Sequence, residues 1–344
     1  MKKLCLGIFL FFIACLAFSA EPAVLYTAGS YYDKGVERPC YWRDGKIVSL
    51  PVPSGAGRAR SITVASDGTV YSAGYYVTDD LEQPCYWQGT RRIDLPIPEG
   101  CEIGRTSDIV VTAKNTVYTA GYYNDSNGFK TCYWQGTNRT DLPVPDSAGV
   151  SLTGGIFVTA KDTVFVSGCY SYKENTKAMA CYWEDKKRID LPIPEGIGDS
   201  WSDAVIEAAN GTIYAVGSYN EGELFRACYW QGTKRIPILS DENSAYDTNA
   251  YWLALASNGT VYVVGSYNDG KTDKPCYWKD TEINHLSAKS GAGDCFANSV
   301  FVIDGTVHIA GYSDGIIYYW KDNVLYSSFD TGGGFPVKTF IHLK

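Results

Sequence analysis

The sequence predicts an all-β fold built from one unit repeated seven times, and three observations carry that prediction. Cys-Tyr-Trp occurs six times, as Cys40-Tyr41-Trp42, Cys85-Tyr86-Trp87, Cys132-Tyr133-Trp134, Cys181-Tyr182-Trp183, Cys228-Tyr229-Trp230 and Cys276-Tyr277-Trp278, and a seventh copy reads Tyr318-Tyr319-Trp320. The intervals between the tryptophans are 45, 47, 49, 47, 48 and 42 residues. A second landmark keeps the same phase: Gly29, Gly74, Gly121, Gly168, Gly217, Gly265 and Gly311 each precede a tryptophan, by 13 residues in five units. The composition agrees, with 35 Gly, 27 Tyr and 9 Trp against 2 Met, a turn-rich and aromatic-rich profile poor in helix formers. Four-stranded units at a period of about 40–50 residues are the pattern of a β-propeller blade, so the fold expected is a seven-bladed β-propeller.

The elements follow in order. Residues 1–20 combine Lys2 and Lys3, an apolar run and a small-residue end at Ser19-Ala20, the pattern of a signal peptide cleaved after Ala20. Cys15 stands in a poor lipobox and is a candidate lipid anchor, the lesser reading. Removing residues 1–20 leaves 28 basic against 38 acidic side chains. Residues 21–344 then form the propeller. In the second unit residues 61–65 are a first strand, and Asp67-Gly68 is a tight-hairpin signal repeated at Asn210-Gly211, Asn258-Gly259 and Asp304-Gly305. Residues 69–76 are the second strand, 84–87 begin the third, and 92–95 are the fourth. Leu95-Pro96-Ile97-Pro98 ends the unit, because proline cannot extend a ladder. Residues 23–31 read as a second strand with no first strand before them, and 335–343 read as an orphan first strand. The C-terminal strand is therefore expected to join the N-terminal blade and close the ring.

Most repeated residues are expected to pack rather than to act. Cys and Trp of each motif point to one sheet face and Tyr to the other, filling the gaps between blades. The repeated Gly is expected to admit a close neighbour or a bulge. Equivalent cysteines of different blades lie beyond disulfide reach and should be buried thiols. Cys169 follows Gly168 and lies across a hairpin from Cys181, which makes this pair a candidate disulfide.

Chemistry is sparse. The net charge of −8 argues against nucleic acid. No second apolar run is long enough to span a membrane. The three His (His285, His308, His342) have no metal-ligand spacing, and neither a phosphate loop nor a nucleophile elbow is present. No metal, cofactor or catalytic set is assigned. Asp125-Ser126-Asn127-Gly128 reads as a hairpin tip. Sequence variation falls in the loops between second and third strands, such as 31–39, 77–84 and 124–131, and in interblade stretches such as 100–107 and 240–250; both should emerge on one face. Trp201 and Trp252 are the only tryptophans outside the repeat register, and with Tyr246 they form a candidate aromatic platform for a sugar or a peptide side chain.

The whole of residues 21–344 resembles bacterial extracytoplasmic propeller-repeat proteins, including those with HAF-type repeats. Tyr41-Trp42-Arg43-Asp44 and Tyr277-Trp278-Lys279-Asp280 are also similar to the Tyr-Trp-Thr-Asp blades of lipoprotein receptors. The resemblance implies the fold and export, and no catalysis. The function expected is a monomeric secreted or surface-associated binding module for a protein or glycan; the alternatives are a polysaccharide-acting hydrolase or lyase, or a purely structural surface protein.

Overall fold

A computed structural model describes residues 23–342 apart from 54, 175–176, 197 and 239–245. The proposed signal peptide and Cys15 lie outside the described residues. Seven four-stranded antiparallel sheets make seven blades. Blades 2 to 7 span 57–94, 104–141, 148–190, 200–237, 248–285 and 295–330, and each is a meander in chain order. Blade 1 is completed from the far end of the chain: Phe335–His342 pairs with Val24–Asp33, which continues to Val36–Arg43 and Lys46–Ser49. The expected closure by the C-terminal strand is thus the observed one. No helix among the described residues is long and apolar enough to cross a membrane.

The core is seven interblade clusters rather than one centre. In each, the Trp of one blade packs on the middle Tyr of the blade before it: Trp87 with Tyr41, Trp134 with Tyr86, Trp230 with Tyr182, Trp278 with Tyr229 and Trp320 with Tyr277. Trp42 with Tyr319 makes the same contact across the closure. All seven motif tryptophans are at most 1% exposed and the six motif cysteines are 0% exposed. An aromatic ring hides about 150–250 Å², so each Trp contributes on the order of 5 kcal/mol of transfer free energy at about 25 cal/mol per Å². The indole N–H is also satisfied. Trp87, Trp134, Trp183 and Trp230 donate to the carbonyls of Pro51, Pro96, Pro143 and Pro192 at 2.7–2.9 Å. The Leu-Pro exit of one blade therefore serves as acceptor for the next.

Two expectations need correction. The stretches 31–39, 77–84 and 124–131 are mostly ladder, not loop: Val77 pairs with Glu82 and Thr78 with Leu81 across a two-residue turn. Asp79 and Asp80 form that turn at φ of 49° and 63°, the left-handed geometry whose twist matches the flanking strands. The cysteine pair is also one residue out of register. Cys169 pairs with Ala180 and Gly168 with Cys181, so the two side chains leave the sheet on opposite faces. All nine cysteines among the described residues are free thiols. Burial pushes the Cys169 thiol up to about 12, which makes it a weak nucleophile.

Candidate functional site: the axial cavity

The innermost strands position the site. In each, pairing with the second strand breaks just after the residue that faces the repeated glycine. Ala59 pairs with Gly74, then Arg60 is skipped and Ser61 pairs with Ala73. Ser107, Asp203, Tyr251, Asn298 and Val337 are skipped in the same way. Blade 4 skips Gly154 and Gly155. These are β-bulges, in which the extra residue leaves the ladder and is re-aimed. The repeated glycine is what allows them: a Cβ on Gly74, Gly217 or Gly265 would fall on the carbonyl oxygen of Arg58, Trp201 or Asn249. A Cβ on Gly121 would also lie 2.9 Å from the Trp134 ring. The glycine thus meets both expectations, the bulge and the close neighbour.

Seven bulges make a layer around the axis: Arg60, Ser107, Gly154, Asp203, Tyr251, Asn298 and Val337. These residues line a cavity of about 400 Å³ together with Thr153, Phe296 and Tyr312. First strands run inward from the face that carries the interblade connections, so the residues before the bulge place this cavity on that face.

The next residue along each first strand makes a second layer, which closes the channel. Lys338 donates to Asp108 Oδ1 at 2.6 Å and stands 4.0 Å from the centre of the Trp252 ring. Asp108 Oδ1 also accepts from Ser61 Oγ at 2.6 Å, and its Oδ2 accepts from the Ile156 N–H at 3.0 Å. The Trp252 ring reaches blade 4, where a Cβ on Gly155 would lie 3.2 Å from it. Gly155 therefore leaves the space that Trp252 fills, while Gly154 lets blade 4 approach the Ser202 and Asp203 carbonyls of blade 5. Below this layer a second cavity, of about 250 Å³, is lined mainly by apolar side chains such as Ile62, Ile109, Phe157, Leu253 and Phe301.

Charge in the upper cavity is unbalanced locally. Asp203 Oδ2 is shut from solvent and has no hydrogen-bond partner. Desolvation with no opposing partner pushes its carboxyl up to about 7. Asn298 is 9% exposed; its Nδ2 donates to the Val337 carbonyl at 2.9 Å, while its Oδ1 has no partner. A buried acceptor without a donor costs about 1–3 kcal/mol, and a small turn of either side chain toward the cavity would let a ligand N–H or O–H relieve it. Arg60 reaches only the Tyr122 hydroxyl, at 3.3 Å. On the aromatic side, Tyr251 and Tyr312 flank Phe296, with ring centres 6.2 and 5.7 Å from it. Tyr251 is anchored by Ser266 Oγ at 3.1 Å, and burial pushes its phenol up.

Of the residues singled out in the sequence, only Trp252 lines this cavity. Trp201 packs edge-on against Phe225 at 5.4 Å, and Tyr246 lies 49% exposed against Gly270. No ring contact joins the three. Sequence reading passed over Arg60, Asp203, Tyr251 and Asn298, although a signal was there. When the seven first strands are aligned on the residue facing the repeated glycine, that column is small or polar, and the next one varies from Arg to Val.

Fold and channel together define the class: a closed seven-bladed β-propeller with a blocked axis. No family model matches the sequence, and no curated protein matches it. Solved structures match on fold. An ulvan lyase has a TM-score of 0.52 at 10% identity, over 86% of this chain and 92% of that one. A prolyl endopeptidase has 0.51 at 11%, over 92% of this chain and 50% of that one. A dihydro-haem d1 dehydrogenase has 0.50 at 13%, over 92% and 68%. At such identities the likeness concerns the fold alone and leaves function to the site.

Proposed function

We propose that this protein is an exported binding module that takes a protein side chain or a carbohydrate in the axial cavity on its connection face. The observation that carries the reading is the meeting of Arg60, Asp203 and Asn298 with the rings of Tyr251, Phe296 and Tyr312 on one concave surface. Concave sites with an apolar wall and a few convergent polar groups are the common form of ligand pockets. The signal-peptide pattern of residues 1–20 supports export.

The test is a glycan and peptide binding screen with the purified chain, repeated on four variants. Tyr251→Ala and Asn298→Ala are expected to weaken a hit at least tenfold, while Trp201→Ala and Tyr246→Ala leave it within twofold. The reverse pattern would move the site to the outer aromatic residues and end the cavity reading.

A second reading, a hydrolase or lyase acting on polysaccharide, has one observation in its favour. A carboxyl at about 7 facing a cavity is suited to proton transfer near neutrality. Turnover of a bound glycan that disappears in Asp203→Asn, with binding retained, would decide for it.

A further inference from the structure

We propose that the axial cavity takes a zwitterionic small molecule, one carrying an ammonium group and a carboxylate. This rests on the reading of the cavity as a ligand site and narrows it to one chemical class.

Cations near the channel are otherwise matched. Lys338 meets Asp108 at 2.6 Å, Arg58 meets Glu37 at 2.5 Å, and Arg105 meets Glu82 through two donors. Arg60 and Asp203 differ. Both line the cavity, Arg60 is a cation and Asp203 becomes an anion above about pH 7, where the calorimetric titration is run, and neither has an ion-pair partner among the described residues. Arg60 belongs to blade 2 and Asp203 to blade 5, three blades apart in a ring of seven, so they face each other across the axis. Two opposite charges held apart on one cavity fit a ligand that bears both signs.

The walls add to this. Tyr251, on blade 6 beside blade 5, presents ring surface, which attracts an ammonium group. Phe296, Tyr312 and Asn298, on blade 7, stand midway between the two charges and supply ring surface and a neutral amide. Ser107, on blade 3 beside Arg60, is 2.8 Å from the Thr153 hydroxyl of blade 4, and one hydroxyl of that pair can donate to a carboxylate. A volume of about 400 Å³ holds a molecule of amino-acid size.

Competing classes answer only part of this. A simple anion satisfies Arg60 and is repelled by ionised Asp203; a simple amine does the opposite. A neutral sugar satisfies Asn298 and the rings and leaves both charges uncompensated in a partly dry cavity.

The experiment is calorimetric titration of the full chain with α- and ω-amino acids from glycine to ε-aminocaproate, lysine and arginine. Matched alkylamines, alkyl carboxylates and neutral oligosaccharides serve as comparisons. At least one zwitterion is expected to bind at one site, tenfold or more tighter than its single-charge analogues. Asp203→Asn and Arg60→Gln are each expected to weaken it at least tenfold; thermal melting of each variant checks the fold, and either variant alone suffices if the other fails to fold. No binding of any zwitterion at millimolar concentration, or unchanged binding in both variants, overturns the proposal. A neutral oligosaccharide that binds and is lost in Tyr251→Ala but kept in Asp203→Asn would overturn the zwitterion class while leaving the cavity reading intact. Binding unchanged in every cavity variant would overturn both.

Discussion

At the scale of single residues, one glycine per blade sets the site. It has no Cβ, so the innermost strand can bulge against it, and the bulge turns one side chain toward the axis. Asp203 is the costliest product of that arrangement. Its carboxyl is raised from 3.8 to about 7 by burial, so folding favours the protonated form. Below about pH 4 both folded and unfolded chains are protonated and nothing is lost. As pH rises from about 4 to 7, the unfolded chain ionises first and stability falls; above about 7 the loss is complete. Asp203→Asn does not titrate. Its stability over the parent is therefore expected to be near zero at pH 4 and on the order of 2–4 kcal/mol at pH 8, read by urea denaturation across that range. A difference that stays constant with pH would mean that the carboxyl is not desolvated. Taken alone this residue is illegible, because a lone Asp in a strand looks like a solvated face; only the alignment of the seven first strands on the repeated glycine marks its column.

At the scale of elements, the sequence was more readable than its loops. The second and fourth strands fell within one or two residues of Val70–Thr78 and Arg91–Asp94, since their alternation is regular. The first strands began too late in the reading: residues 61–65 are the end of Gly57–Val64. Their starts carry Gly57, Arg58 and Arg60, which break the apolar pattern: Arg58 is held by Glu37 and Arg60 stands at the bulge. The hairpins of the connection face read as loops in the sequence for a related reason, their ladders continuing through polar pairs such as Tyr76 with Gln83. A second element-level device, the stacking of Arg92, Arg139, Arg188 and Arg235 on Tyr76, Tyr123, Tyr170 and Tyr219, repeats in four blades at 4.4–4.9 Å. The joint between elements is the indole N–H. Trp134→Phe keeps most of the packing but leaves the Pro96 carbonyl without its 2.9 Å donor. It is expected to cost about 1–3 kcal/mol, measured by chemical denaturation. A variant as stable as the parent would mean that water replaces the donor and that packing alone joins the blades.

At the scale of the whole molecule, closure is the property on which everything else depends. The orphan strand at the C-terminal end was legible because the repeat left one first strand missing and one to spare. It does more than complete a sheet. Phe335–His342 brings Lys338 to Asp108, and that pair with Trp252 closes the channel floor. Deleting residues 337–344 is therefore expected to abolish the single cooperative thermal transition, by opening blade 1 and stripping Asp108 of its cation. A truncated chain that melts like the parent would show that the ring does not need this strand. The blocked channel was not legible, since it depends on Gly155 in blade 4 receiving the Trp252 ring from blade 6, a contact between residues about a hundred positions apart.

Whether a ligand occupies the axial cavity on the connection face is read from a crystal structure of the protein with a ligand recovered from the binding screen. The expected result is density within the cavity, between Arg60 and Asp203 and against Tyr251, with a donor group within hydrogen-bond distance of Asp203 Oδ2 or Asn298 Oδ1. Density instead beside Trp201 and Tyr246, or in the apolar cavity beneath Trp252, with the upper cavity holding only water, would contradict it.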